Sequence, residues 1–335
     1  MIKLGVIGTG RIGKLHVENI NKFVPDAKVI AVADVMIDYS REWAKEQGIE
    51  HVYQDYNELL QNPEVDAVVV ATSTDTHATV AIAACKAGKD IFCEKPVDTS
   101  VAKIKEVLAA VKEAGVKFQV GFNRRFDHNF RRVREFVENG TVGEPHLLRV
   151  TSRDPAPPSV EYIASSGGLF LDMMIHDFDM VRYLSGSEVK KVTAFGANLI
   201  DPAIGKAGDI DTATVTLELE NGALAVIDNS RQAVYGYDQR VEVFGSKGVA
   251  QAFNDKPSNV EVSTADAVTT DKIRYFFLDR YTGAFVDQFV SFIKALKGEA
   301  EVPVDALDGL RAVEVALAAT ESLRSGKTIT MEYDQ

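Results

Sequence analysis

Two polar residues with complementary chemistry stand four positions apart in a largely apolar stretch of the sequence. Asp172 and His176 are set among Leu, Met, Ile and Phe between residues 169 and 178. On a helix, residues four apart share one face, so the carboxylate could contact the imidazole. A carboxylate beside a histidine fixes its tautomer and stabilises the imidazolium, which suits a general base that takes a proton from a hydroxyl group.

Two other interpretations of this pair stay open. A metal site needs a third His, Cys or carboxylate at ligand spacing, and none with convincing spacing accompanies the pair, so no metal is predicted. A core histidine that is satisfied by a local carboxylate would produce the same pattern.

A glycine-rich turn follows the first apolar run of the chain. Its sequence is Gly8-Thr9-Gly10-Arg11-Ile12-Gly13. A turn of this kind between a predicted strand and a predicted helix is typical of a dinucleotide-binding site. Gly8 would allow the tight turn, Gly10 the approach of a pyrophosphate, and Gly13 the close packing of the helix on the sheet. The helix N-terminus, from Arg11 and Ile12 onward, would offer its amides to the phosphates.

The second apolar run ends in an acidic residue where a ribose-binding carboxylate is expected. Asp34 lies 21 residues beyond Gly13, and a carboxylate there accepts hydrogen bonds from both hydroxyls of the ribose of NAD. The next residues, Val35 and Met36, offer no cation for the 2'-phosphate of NADP. The pattern therefore predicts NAD as the cofactor and places Asp34, Val35 and Met36 beside it.

Charged residues follow the apolar run at 90–93, at Glu94-Lys95-Pro96. Open parallel sheets bind ligands at the carboxyl ends of their strands, so Glu94 and Lys95 are predicted at the mouth of the cofactor site. An ammonium there could hold a substrate hydroxyl and favour the alkoxide that develops as a hydride leaves. The alternative is a solvated lysine that pairs with Glu94. The Lys95–Pro96 bond at this corner is also a candidate for a cis peptide.

Hydroxyl-bearing residues follow the apolar run at 66–71. Thr72, Ser73 and Thr74 are predicted to line the cofactor cleft. Thr74 or Asp75 could at the same time cap the next helix. His77, in the first turn of that helix, lies either near the nicotinamide or on the surface as an ordinary histidine.

The order of apolar runs and amphipathic segments predicts the fold that must place these residues. Nearly all-apolar runs suit strands that are covered on both faces, and they alternate here with helical patterns such as 76–87 and 100–114. Strand-helix repetition of this kind gives an α/β fold with a doubly wound parallel sheet, the Rossmann fold. The predicted dinucleotide-binding domain covers residues 1–122, and its runs lie at 3–7, 28–33, 66–71, 90–93 and 116–120.

Beyond about residue 145, strand-like runs follow one another with turns between them. The alternation of apolar and polar residues predicts an α+β domain at 123–335, built on an open, mostly antiparallel sheet. One face of that sheet is then free to cover a site or to contact another subunit. The runs lie at 146–153, 189–198, 212–219, 223–232 and 239–244, with Asn221-Gly222 as a hairpin turn and helical patterns at 170–184, 282–297 and 305–325.

Composition and charge exclude several classes of protein. Lys and Arg number 37 against 49 Asp and Glu, a net charge of -12, and no basic block could neutralise a row of phosphates, so nucleic acid is not an expected partner. The chain shows no signal segment and no uninterrupted apolar window of membrane length, so no membrane partner is predicted. Two cysteines cannot form a disulfide framework, which suits a cytoplasmic protein.

Together these motifs resemble those of the Gfo/Idh/MocA family of oxidoreductases, over essentially the whole chain. The resemblance is carried by the glycine-rich turn, by Glu94-Lys95-Pro96, by residues 120–126, and by Gly167-Gly168 with the following Asp172 and His176. The stretches 152–158, 172–179 and 230–240 are similar to those of bacterial inositol 2-dehydrogenases.

The resemblance implies an activity and an assembly. The activity is NAD-dependent oxidation of a ring hydroxyl of a cyclitol, with myo-inositol and its 2-keto product as the expected pair, in inositol catabolism. The assembly is a homotetramer formed through the C-terminal sheet. Lys95 and His176 would act at the hydroxyl with Asp172 supporting His176, and Asp154 and Tyr235 would hold the ring.

Three points stay open. Asp154 stands in a Ser-Arg-Asp context where other inositol dehydrogenases carry His-Arg-Asn, which leaves the preferred isomer undecided. The same chemistry on an aldose is compatible with the pattern, since one scaffold hosts many substrates. An NAD-binding sensor without catalysis is also compatible, although a sensor has no need for a proton-transfer pair.

Overall fold

The structure, a computed structural model, describes residues 1–333, with the side chains of all of these except residues 164 and 165. Residues 334 and 335, which the sequence assigns to the second domain, lie outside the described residues. The chain forms two compact units. The first comprises Met1–Phe126 and Gly283–Val313, and the second comprises Asp127–Thr282 and the chain from Glu314.

The first unit contains a sheet of six parallel strands. They are β1 (Ile2–Ile7), β2 (Ala27–Ala33), β3 (His51–Tyr53), β4 (Ala67–Val70), β5 (Asp90–Cys93) and β6 (Phe118–Val120). Their order across the sheet is β3-β2-β1-β4-β5-β6, and every neighbouring pair is parallel. This is the strand order of the Rossmann fold, with its switch point between β1 and β4. The predicted fold class of this unit is confirmed.

Helices connect these strands in the order that the apolar runs predict. They are α1 (Arg11–Phe23), α2 (Arg41–Glu46), α3 (Tyr56–Gln61), α4 (Thr74–Lys86) and α5 (Val101–Ala114), with 3-10 turns at Ile37–Tyr39 and Asn123–Phe126. Gly115 ends α5 in the left-handed conformation with φ 66°, which glycine adopts without steric strain.

The second unit contains a mixed sheet of seven strands and a separate hairpin. The strands of the sheet are β7 (Pro145–Arg153), β8 (Val189–Ala197), β9 (Thr212–Leu219), β10 (Leu224–Ser230), β11 (Asp238–Gly245), β12 (Gly248–Ala252) and β15 (Ile329–Thr330). Their order across the sheet is β12-β11-β7-β10-β9-β8-β15. β7 and β10 pair in parallel, and the other neighbours are antiparallel. The hairpin pairs β13 (Glu261–Ser263) with β14 (Val268–Thr270). The predicted antiparallel character of the sheet is confirmed.

The remaining helices are α6 (His128–Glu138), α7 (Val160–Ser166), α8 (Gly168–Asp172), α9 (Ile175–Ser185), α10 (Pro202–Lys206), α11 (Phe277–Arg280), α12 (Thr282–Leu296) and α13 (Ala306–Ser325). α12 completes the core of the first unit, because Phe289 and Phe292 are fully buried in one cluster with Phe92 and Val69. The structure therefore differs from the predicted division into continuous domains at residue 122. The later aromatic residues close the apolar core of the Rossmann sheet.

The predicted single helix over residues 170–184 is wrong, since α8 ends at Asp172 and α9 begins at Ile175. The amides of Met173 and Met174 both donate to the carbonyl of Leu169, which interrupts the regular ladder. A regular helix rotates by about 100° per residue, so it spreads consecutive side chains around its axis. Leu169 to Leu171 and Met173 to Ile175 are all buried, and the interruption lets both runs face apolar surroundings.

No helix in the described part of the chain combines the length and hydrophobicity that a membrane span requires. Cys85 and Cys93 are buried free thiols. Burial raises the pKa of Cys85 to about 11 and that of Cys93 well above its ordinary value. Both thiols stay protonated at neutral pH and pack as small apolar side chains.

Candidate active site

The glycine-rich turn lies at the switch point of the first sheet, directly after β1. Gly8 has φ 98°, and a Cβ on it would collide with the carbonyl of Ala71. A Cβ on Gly13 would collide with the carbonyl of Gly8, whereas a Cβ on Gly10 would meet no protein atom within 4 Å. The base of the turn is thus closed to side chains and its outer edge is open, as a phosphate needs. α1 begins at Arg11 with no side chain capping its first amides.

This difference between glycines gives a first prediction. Gly13→Ala should lower the melting temperature and weaken NADH binding at least about tenfold, because the collision displaces α1 from the sheet. Gly10→Ala is the matched control, since its methyl group meets no protein atom within 4 Å. It should keep the melting temperature and still lose NADH affinity. Unchanged NADH affinity in Gly10→Ala, by fluorescence titration, would rule out phosphate binding at the turn.

Asp34 follows β2 and points toward the glycine-rich turn. Its Oδ2 accepts hydrogen bonds from the amide and hydroxyl of Thr9 at 2.6 and 2.9 Å, and its Oδ1 accepts one from the amide of Met36 at 2.8 Å. Burial acts to raise the pKa of Asp34, but these hydrogen bonds outweigh it and the pKa is lowered. Asp34 is therefore a carboxylate at neutral pH. Val35 and Met36 beside it are 76% and 58% exposed.

The residues after β4 differ from two expectations. Ser73, rather than Thr74 or Asp75, is the N-cap of α4, and it makes no side-chain capping bond. The interpretation of His77 as a surface residue is wrong, because its side chain is buried. Its Nδ1 lies 2.8 Å from the carbonyl oxygen of Pro96 and its Nε2 lies 3.1 Å from that of Thr72. The imidazole thus links the loop after β4 to the Lys95–Pro96 corner.

The corner after β5 is organised by a buried histidine. Nε2 of His16 lies 2.6 Å from Oε1 of Glu94, and the His16 ring packs edge-on against Phe289 with centroids 4.8 Å apart. Oε2 of Glu94 accepts a bond from the Lys95 amide at 3.3 Å. Glu94 therefore pairs with His16. The Lys95–Pro96 peptide is cis, which confirms that prediction.

The second unit gathers carboxylates around one arginine. Asp172, at the end of α8, accepts hydrogen bonds from the Tyr162 hydroxyl at 2.8 Å and from Nη1 of Arg231 at 3.2 Å. Asp154, directly after β7, has Oδ2 3.9 Å from the same Nη1. Asp154 and Asp172 are both half-buried. Two of the predicted substrate residues thus share a partner that sequence reasoning missed.

His176 and Asp172 do not lie on one continuous helix, contrary to expectation. His176 is half-buried in the first turn of α9. Asp177, the next residue, is fully buried and accepts hydrogen bonds from Ser152 on β7 at 2.5 Å and Asn229 on β10 at 2.9 Å. These bonds fix the start of α9 on the sheet and so fix the backbone that carries His176.

Tyr235 lies in the loop before β11 and is 46% exposed. Its hydroxyl donates to Asp238 at 2.7 Å and accepts from Arg153 at 3.3 Å. Burial and the bond to Asp238 raise the pKa of Tyr235, so the phenol stays neutral. Among the described residues it makes no hydrogen bond to Asp154, Asp172 or His176. The structure therefore does not join Tyr235 to the other predicted substrate residues by direct contact.

The strand order of the first unit and its glycine-rich turn define a dinucleotide-binding Rossmann fold, which is typical of NAD-dependent oxidoreductases. Residues 2–122 match the model of the oxidoreductase family with an NAD-binding Rossmann fold, and residues 130–251 match that of the GFO/IDH/MocA C-terminal domain. The chain belongs to the Gfo/Idh/MocA family of oxidoreductases.

Relatives within this family match the chain along its whole length. It is 48% identical to the myo-inositol 2-dehydrogenase of Thermotoga maritima, over 99% of each chain. It is 43% identical to the inositol 2-dehydrogenase of Rhizobium meliloti, over 98% of this chain and 99% of the relative. A crystal structure of scyllo-inositol dehydrogenase from Lactobacillus casei with bound NAD(H) and scyllo-inositol has a TM-score of 0.91 at 32% identity, covering 98% of this chain and 99% of the other.

Proposed function

We propose that the protein is an NAD-dependent inositol 2-dehydrogenase that oxidises myo-inositol to 2-keto-myo-inositol. The observation that supports it most is the pair of half-buried carboxylates, Asp154 and Asp172, that face one guanidinium. Carboxylates accept hydrogen bonds from the neighbouring hydroxyls of a polyol, whereas an apolar substrate would remove water from them without offering a donor. The full-length similarity to inositol 2-dehydrogenases supports the same substrate class.

NAD fits the first unit, because the turn is open at Gly10 and a carboxylate stands at Asp34. When bound, NAD accepts the hydride from the ring carbon and leaves as NADH. The proposed contacts are with the phosphates at the turn, with the ribose at Asp34, and with the rest of the cofactor at the loops after β4 and β5. The residues concerned are Gly8, Gly10, Arg11, Ile12, Gly13, Asp34, Val35, Met36, Thr72, Ser73, Thr74, His77, Glu94 and Lys95.

In the proposed mechanism, three side chains act at one hydroxyl group. His176 removes the hydroxyl proton while the ammonium of Lys95 holds the oxygen, so the C=O bond forms as the C–H hydride leaves. Asp172 supports His176 and accepts a hydrogen bond from the ring. Lys95 also disfavours a second positive charge nearby, which keeps the imidazole neutral before it accepts the proton.

Asp154 and Tyr235 are proposed to hold the remaining hydroxyls of the ring. The backbone supports this for Asp154, whose carbonyl accepts a hydrogen bond from the Ala233 amide in the loop that leads to Tyr235. The neutral phenol can both donate and accept, as recognition of a polyol requires.

The substrate is tested by NAD reduction against a panel of inositol isomers and aldoses at equal concentration. The proposal expects myo-inositol to give the highest kcat/KM. A higher value with scyllo-inositol or an aldose would move the assignment to that substrate. No NADH formation with any polyol would favour an NAD-binding sensor.

The cofactor preference gives a second prediction. The 2'-phosphate of NADP would place like charge beside Asp34, and two unit charges about 4 Å apart repel by roughly 4 kcal/mol at an effective dielectric of about 20, before screening. We expect kcat/KM with NAD to exceed that with NADP at least about tenfold. Because the pKa of Asp34 is lowered, its charge and the preference should be constant from about pH 6 to 9.

Asp34→Ser should narrow this gap mainly by loss of NAD affinity. Asp38→Ser is the control, because Asp38 is an exposed carboxylate nearby that pairs with Arg41. Equal efficiency with both cofactors in the unmodified enzyme would contradict the ribose assignment.

We also propose a cytoplasmic homotetramer that works in inositol catabolism. The outward face of the seven-stranded sheet carries large exposed apolar side chains, which water disfavours and a second copy would cover. They are Phe195, Leu224, Val226, Phe244 and Val249. Light scattering should give four times the mass of one chain, and Phe244→Lys should shift it toward smaller species. Fractionation of cells tests the location.

A further inference from the structure

A single buried arginine in the second unit faces three carboxylates from distant parts of the chain. Arg231, one residue after β10, is 2% exposed. Its Nη1 lies 3.2 Å from Asp172 and 3.9 Å from Asp154, and its Nη2 lies 3.8 Å from Asp209. We call these four residues the arginine cluster.

Stability alone does not account for the arginine cluster. Arginine keeps its charge in a protein interior, and a buried ion pair is often no more stable than an apolar replacement of the same volume. Here one guanidinium lies 3.2 to 3.9 Å from three carboxylates. Within residues 1–333, moreover, Nε and Nη2 of Arg231 and Oδ2 of Asp209 have no hydrogen-bond partner. An arrangement that leaves buried donors unsatisfied costs free energy, so it needs another reason to exist.

The geometry of Asp172 indicates that reason. One of its carboxylate oxygens accepts from Tyr162 and the other accepts from Arg231. Two donors on different oxygens restrict the rotation of the carboxylate, so these bonds orient the group. Arg231 thereby helps to set the direction in which Asp172 accepts hydrogen bonds.

Asp154 is tied to the same arginine through the backbone. Its amide donates to the carbonyl of Ser230 at 2.9 Å, and its own carbonyl accepts from the amide of Ala233 at 2.6 Å. Arg231 lies between these two anchors. A displacement of the Arg231 guanidinium would therefore also displace the side chains of Asp154 and Asp172.

We propose that Arg231 is a positioning residue for substrate recognition, which holds the carboxylates of Asp154 and Asp172 in one array so that they bind adjacent hydroxyls of a polyol as a unit. This inference rests on the proposed function, because that function assigns both carboxylates to the ring. Arg231 is 2% exposed, so its proposed effect on the substrate is exerted through the two acids.

The test compares two substitutions of the arginine. Arg231→Gln should raise KM for myo-inositol at least about tenfold, because truncation removes the guanidinium that orients the half-buried carboxylates of Asp154 and Asp172. Arg231→Lys keeps the charge but lacks the planar fork, so it should recover only part of that loss. KM for NAD should stay within about twofold, and kcat should fall less than KM rises. A KM for myo-inositol within about twofold of wild type in a folded Arg231→Gln variant would overturn the proposal.

A matched control separates positioning from folding. Arg182 is another buried guanidinium of the second unit, and it pairs with Glu188 and Asp179, which have no proposed substrate role. Arg182→Gln should lower the melting temperature and leave KM for myo-inositol unchanged. A rise in KM as large as that in Arg231→Gln would show that loss of any buried arginine has this effect.

A double-mutant cycle tests whether Arg231 acts through Asp154. If it does, Arg231→Gln combined with Asp154→Asn should raise KM by no more than about threefold over the worse single variant. If the KM increases of the two single variants instead multiply in the double variant, Arg231 and Asp154 act independently, and the proposal is overturned. If the Arg231 variants do not fold, Asp209→Asn is measured instead, because Asp209 belongs to the arginine cluster but has no proposed contact with the substrate. A KM for myo-inositol within about 1.5-fold of wild type in Asp209→Asn would then overturn the proposal.

The kinetic results distinguish an error in the proposed function from an error in the role of Arg231. If the unmodified enzyme reduces NAD with another polyol, the same variants are measured with that polyol. If it reduces NAD with none, the proposed function fails and this inference fails with it. If it is active and Arg231→Gln has an unchanged KM, only the role of Arg231 is wrong.

Discussion

Replacement of His176 by alanine is expected to lower kcat by about 100- to 10,000-fold, the usual contribution of a general base. In the proposed reaction the imidazole takes the hydroxyl proton as the hydride leaves, and a methyl group cannot do so. NADH affinity should stay within about twofold, since the residues assigned to the cofactor belong to the first unit and His176 belongs to the second. Steady-state kinetics and NADH fluorescence titration measure the two effects separately.

His128→Ala is the control for this variant, because His128 is an exposed histidine of the same unit, with a side chain that is 66% exposed. It should keep full activity. With myo-inositol deuterated at the reacting carbon, the residual activity of His176→Ala should show an increased isotope effect, because the chemical step has become slower. A folded His176→Ala enzyme that keeps more than about a third of kcat would exclude the proton-acceptor role.

The cofactor half of the protein could be predicted from sequence because its signals are local. The run Ile2–Ile7, the glycine-rich turn and Asp34 lie within one strand-helix-strand unit, and each has a fixed place in the Rossmann fold. The cis bond at Lys95–Pro96 followed from a short motif as well. Such features need no knowledge of distant contacts.

The features that sequence reasoning missed depend on contacts between distant residues. Arg231 has no local signal, since its partners lie 22, 59 and 77 positions earlier at Asp209, Asp172 and Asp154. The burial of His77 depends on the carbonyl of Pro96, which is in another loop. Residues four apart predicted a shared helical face for Asp172 and His176, but the need to bury two adjacent apolar runs interrupted the helix.

The assignment of α12 to a compact unit also depends on contacts between distant residues. α12 carries a helical pattern that predicts its existence, but no local pattern tells which core receives its aromatic face. The packing of Phe289 against Phe92, with ring centroids 4.4 Å apart, assigns it to the first unit. The same ring packs against His16, the partner of Glu94. A helix late in the chain therefore supports the corner that carries Lys95.

Lys95→Met should lower kcat by about 100- to 1,000-fold, the usual cost of removing one donor that stabilises charge in the transition state. The ammonium is proposed to hold the oxygen on which negative charge grows as the proton leaves. Such an interaction is stronger in the transition state than in the bound substrate, so its loss affects kcat and kcat/KM together. In the proposed mechanism the imidazole would lose a neighbouring positive charge, so the pH dependence of kcat should change too.

Lys103→Met is the matched control, since Lys103 is a 52% exposed lysine on α5 of the same unit that pairs with Asp98. It should behave as wild type. Lys95→Arg keeps the charge on a wider group, so it should recover activity only in part if both charge and position matter. Loss of activity in Lys95→Met through KM alone, with normal kcat and an unchanged pH profile, would show that Lys95 binds the substrate without taking part in the chemical step. His176 would then act on a hydroxyl whose developing charge is stabilised by another group of the enzyme.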